Sequence, residues 1–157
     1  MLTGFFRDLK RTFSVHTVSA HFSNGLIPVA VLYFLLALPS GDAWFDHTVK
    51  HLLIIVLPAI PVSFFSGLHD WKTRYKSAKT PVFIKKIRLS IALFVLCVIS
   101  TGIRYSVPEV MGESGLLHWV YLVTLLSMLP VVSLLGYYGG KLSAGQRQVA
   151  AKTVTKK

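Results

Sequence analysis

The chain carries a single cysteine, Cys97, among its 157 residues. One thiol excludes an intramolecular disulfide and a cysteine-based metal cluster. Acidic residues are nearly as scarce, six against seventeen Lys and Arg. No two carboxylates share an apolar run, so the paired intramembrane acids of proton-coupled transport are missing. A glycine loop that could cradle phosphate and a serine nucleophile elbow are also missing. Charged residues of either sign make up only 15% of the chain. The N-terminus has a long basic head and a poor cleavage site, so it does not read as a cleaved signal peptide.

Hydrophobic residues are abundant, at 53%, and the mean hydropathy is +0.59. These values point to one integral membrane domain. Two apolar runs, His51–Leu68 and Ile87–Ile103, are each about long enough to cross a ~30 Å hydrocarbon core. Between them lies a basic link, Trp71–Arg88, with Lys72, Arg74, Lys76, Lys79, Lys85, Lys86 and Arg88. Short cytoplasmic loops collect Lys and Arg, so this link is expected inside. A first span is expected from near His21 to Pro39, followed by an acidic outer loop, Pro39–Val49. A further outer loop, Ser106–Leu116, leads to a fourth span, His118–Tyr138. Pro58, Pro61 and Pro130 are expected to kink their helices.

The expected fold is therefore all-α, a four-helix transmembrane bundle with both termini cytoplasmic. Residues 1–15 read as an amphipathic interfacial helix, with Leu2, Phe5, Phe6, Leu9 and Phe13 at helical spacing. Residues 16–140 form the transmembrane domain, and residues 141–157 read as a basic, disordered tail. This topology puts fifteen Lys/Arg and two acids inside, and two Lys/Arg and four acids outside. The net charge of +11 is then a topology signal and needs no nucleic-acid partner. The basic side would meet anionic lipid head groups. Ser63 with Gly67, and Gly136 with Gly140, form small-xxx-small pairs suited to close helix packing.

Histidines at membrane depth carry the functional expectation. His16, His21 and His69 sort to the inner side, and His47, His51 and His118 to the outer. A b-type haem needs two imidazoles from separate helices at matched depth. His21 with His69 is the expected inner pair, and His51 with His118 the outer one, with His47 as a substitute for His51. Arg88 and Arg104 would pair with haem propionates. Interfacial histidines also cap helices and meet head groups without binding anything. His47 and His51 resemble a zinc face, but no adjacent carboxylate completes a catalytic set. Asp70 reads as an ion-pair partner of nearby Lys72, Arg74 or an imidazole.

Three stretches add a resemblance. His16-Thr17-Val18-Ser19-Ala20-His21-Phe22 resembles the HPxxxHFP opening of a family of small bacterial four-span membrane proteins of unassigned function. Gly67-Leu68-His69-Asp70-Trp71 resembles that family's GxxDW, and Gly136-Tyr137-Tyr138-Gly139-Gly140-Lys141-Leu142 its GWxGGxL. The three occur in the family's order and span roughly residues 16–145. Thr17 and Ser23 stand where the family has prolines. The family's histidine at the start of the third span is missing here, where the chain reads Lys85-Lys86-Ile87-Arg88-Leu89-Ser90. Some members of the family are fused to, or neighbour, redox modules. The motifs converge on the inner face and so favour the inner site.

The expected function is that of an electron-transfer subunit of the bacterial cytoplasmic membrane. It would hold one or two b haems and exchange electrons with quinone or a redox partner, with no catalytic activity alone. The alternatives are a non-redox membrane subunit, or a small transporter using the same histidines.

Overall fold

The computed structural model describes residues 15–74, 80–112 and 115–154. They form four helices: α1 (Val15–Ser40), α2 (Ala43–Arg74), α3 (Pro81–Ser106) and α4 (Leu116–Val154). Of these, α1, α2 and α4 are long and apolar enough to cross a membrane. Helix α1 packs on α2, α2 on α3, α3 on α4, and α4 returns to α1, which closes a four-membered ring. The expected interfacial helix at residues 1–15 lies outside the described residues except for its last position.

Each helix turns one stripe inward. The buried positions are Val49, Leu53, Val56 and Ile60 on α2, Leu93 and Cys97 on α3, and Tyr121, Leu125, Met128 and Val132 on α4. Steps of three and four residues follow one face of a 3.6-residue helix. Ile27, Ala30, Val31 and Phe34 complete the core from α1. Phe34 meets the Tyr121 ring edge-on, with centroids 5.7 Å apart. The Ser100 hydroxyl donates to Thr124 Oγ1 at 2.9 Å, joining α3 to α4 inside the core. The outer faces are apolar as well: Leu32 is 54% exposed and Phe65 67%. A surface of this kind fits a lipid environment, where apolar side chains face hydrocarbon rather than water.

Two boundaries differ from the sequence expectation. The acidic loop expected over Pro39–Val49 shrinks to Gly41 and Asp42, because α2 begins at Ala43. Gly41 has φ 62° and its N–H donates to the Ala37 carbonyl at 3.0 Å, closing the C-terminus of α1. Asp42 Oδ1 then accepts the Trp44 N–H at 2.9 Å, capping α2. Trp44, Asp46 and His47 thus stand on helix. At the other end, α4 does not stop near Gly140 but continues to Val154. Ala144, Gln146, Arg147, Gln148, Ala150, Ala151 and Lys152 are good helix formers, so a polar stretch can extend a helix already nucleated by the bundle.

Candidate functional site: a polar cavity at the basic end

The up-and-down path brings the start of α1, the end of α2, the start of α3 and the Gly136–Leu142 part of α4 to one end of the bundle. Between them lies a partly open cavity of about 450 Å³. That volume falls in the range of small-molecule sites, roughly 300–1,000 Å³. Helix α1 contributes His16, Thr17, His21 and Asn24 to the wall, and α2 contributes Ser63, Gly67, Asp70 and Trp71. From α3 come Phe83, Lys86 and Ser90, and from α4 Gly136, Gly139 and Gly140.

Glycines make room for the polar groups. His16 Nδ1 donates to the Ser63 carbonyl at 2.9 Å. A Cβ at Gly67 would stand 2.8 Å from His16 Cε1, so a side chain at position 67 would push the imidazole from its present seat. The Ser63/Gly67 pair is thus a seat for a ring from another helix. Across the cavity, Gly136 faces the Asn24 amide and Gly139 faces the Lys86 ammonium, at 3.9 and 3.8 Å from the position a Cβ would take. Trp71 and Phe83 pack at 5.7 Å between centroids, tying the end of α2 to the start of α3.

Of the four expected iron ligands, only His21 lines this cavity. His69 is exposed and is not on the wall. The inward stripe of α2 explains this. It runs through Ile60, Ser63, Phe64, Gly67 and Trp71, and at about 100° per residue His69 falls roughly 200° past Gly67. Arg88 is exposed and off the α3 stripe that carries Lys86, Ser90 and Leu93.

At the opposite end the expected outer residues have structural partners. The rings of His47 and His51 stack at 4.4 Å, and His51 Nδ1 donates to the His47 carbonyl at 3.0 Å. His118 Nδ1 donates to the Val110 carbonyl at 2.8 Å, which ties the segment after α3 to the start of α4. Arg104 is engaged twice. Its guanidinium holds the Asp46 carboxylate in a two-pronged ion pair, with Nε donating to Oδ1 at 3.1 Å. Its Nη1 donates to the Pro108 carbonyl at 2.7 Å. The side chains of Arg104 and Asp46 are only 8% and 16% exposed.

The sequence reading missed this pair and missed Lys86. The signal for both lay in the α3 stripe. Positions 86, 90, 93, 97, 100 and 104 share one face, so a lysine and an arginine stand on an otherwise inward-facing row. Among the described residues, no group of three or more His, Cys, Asp or Glu is arranged to hold a metal ion. No family model, no curated protein and no solved structure matches the chain.

Proposed function

We propose that the chain is a non-redox integral membrane subunit that binds a small ligand in the polar cavity at the basic end of a four-span bundle. In this reading α3 crosses the membrane along with the other three helices, the basic end faces the cytoplasm of a bacterial cell, and both termini lie on that side. One observation carries the proposal. Residues from all four helices, including members of all three motif-like stretches, meet on one cavity wall. A polar wall inside an apolar bundle is costly to keep unless something uses it. The rest of the core is filled by Phe34, Val56, Cys97, Leu125 and Met128, which closes the cavity off from the opposite end.

Native mass spectrometry from mild detergent tests the reading. The wild-type protein should carry a copurifying mass that Ser90→Trp, which fills the cavity, removes. Ser133→Trp changes an exposed position on α4 and should retain it. Equal occupancy in both variants, or none in the wild type, overturns the proposal.

A second reading keeps the cavity and makes its occupant a b-type haem, with the chain passing electrons to or from quinone or a partner protein. The two imidazoles on the wall, His16 and His21, favour it. Such a haem takes axial donors on both of its faces. Both wall imidazoles stand on α1, while the facing helices offer Lys86 and Asp70. The wall therefore fits a bis-imidazole haem less well than it fits a polar ligand. Soret and α bands in the purified protein, lost in His21→Ala, would establish the haem reading. A colourless folded protein would end it.

A further inference from the structure

We infer that the ligand of the basic-end cavity is an anion of the phosphate class, bound by the Lys86 ammonium. The inference rests on the ligand-binding reading above and names the chemistry of that ligand. Lys86 is only partly exposed, lines the cavity and lies over the bare backbone of Gly139. Among the described residues no carboxylate is within ion-pair distance of it. A cation in such a position is only partly hydrated, so an oxyanion that reaches it gains a charge-assisted hydrogen bond in a medium less screening than water.

The surroundings point the same way. Asn24 offers an amide across the cavity beside Gly136. Helix α3 starts at Pro81, so its N-terminus lies at the same end of the bundle as the cavity. Asp70 is on the same wall.

The neighbouring Lys85 provides the control. It is exposed and its ammonium lies 5.6 Å from the centre of the Tyr138 ring, on the outside of the bundle. Removing either lysine changes the net charge equally, but only Lys86 faces the cavity. The source of the phosphate is resolved by two arms. In one, protein in neutral phosphatidylcholine nanodiscs is titrated with inorganic phosphate. In the other, phosphatidic acid is added to the nanodisc lipids. Thermal unfolding is read in both.

The expected result is a rise in unfolding temperature in at least one arm. Phosphate alone marks a soluble anion, and phosphatidic acid alone marks a lipid head group. Lys86→Gln should weaken the response by about tenfold or more in concentration, as loss of a charged hydrogen bond predicts. Lys85→Gln should stay within about twofold, and Lys86→Arg, which keeps the charge with a different geometry, should retain more of the response than Lys86→Gln. Equal losses in Lys85→Gln and Lys86→Gln would reduce the effect to surface charge and overturn the inference, as would no response in either arm. If the anion arms fail while the copurifying mass still depends on an open cavity, the cavity reading stands and only its anionic ligand falls.

Discussion

Replacing Gly67 by alanine tests whether the cavity is built around the His16 ring. The new Cβ would lie 2.8 Å from His16 Cε1 and 3.1 Å from Nδ1. Carbon atoms in contact settle near 3.5–4.0 Å, so the ring must retreat by about 0.7 Å. The same retreat stretches the 2.9 Å bond to the Ser63 carbonyl to about 3.6 Å, where it no longer counts as a hydrogen bond. The loss is about 0.5–1.5 kcal/mol. Against it stands the gain from exchanging glycine for alanine in a helix, about 1 kcal/mol. The single variant should therefore change stability little.

The informative measurement is a double-mutant cycle. In a His16→Ala background nothing opposes the new methyl group, and Gly67→Ala should stabilise by about 1 kcal/mol. The coupling between the two positions is then the hydrogen-bond loss alone, about 0.5–1.5 kcal/mol, read from reversible unfolding in mixed micelles. A coupling below about 0.3 kcal/mol would mean that the imidazole does not occupy the space above Gly67, and the account of the seat would fail.

Three further outcomes follow from the rest of the bundle. Arg104→Leu should destabilise by about 2–3 kcal/mol by stranding the partly buried Asp46 carboxylate, and adding Asp46→Leu should recover a large part of it in the same unfolding assay. No recovery would show that the Pro108 contact, rather than the charge pair, carries the effect. Gly41→Ala should cost about 1–2 kcal/mol, since an L side chain is strained at positive φ; an unchanged midpoint would place the strain elsewhere. Cys97, fully buried, should resist a water-soluble maleimide until the bundle unfolds, and rapid labelling of folded protein would contradict the closed core.

The helical class and the positions of the apolar segments were readable because hydrophobic periodicity and length are local signals. The ends of α2 were not. The short link at Gly41 and Asp42 depends on one left-handed glycine and one capping carboxylate, while Trp44, Asp46 and His47 look like loop residues by composition. The small-xxx-small spacing of Ser63 and Gly67 was visible, but its use as a ring seat requires His16 from another helix. Arg104 and Asp46 are 58 positions apart, so no window of sequence joins them. The histidines divide for a related reason. Residue type and depth drew attention to His69, whereas the phase of the α2 stripe turns it away from the cavity. Applied to α3, the same phase argument picks out Lys86 and leaves out Arg88.

The guanidinium clasp between Arg104 and Asp46 has a consequence for traffic. It staples the far mouth shut beneath a loop that His118 also fastens, and a solid plug of aromatic and aliphatic side chains fills the middle. If a ligand enters beside Lys86 as proposed, this packing offers it no path through the core among the described residues. On the ligand-binding proposal the bundle in this conformation is then a cul-de-sac, filled and emptied from the same end.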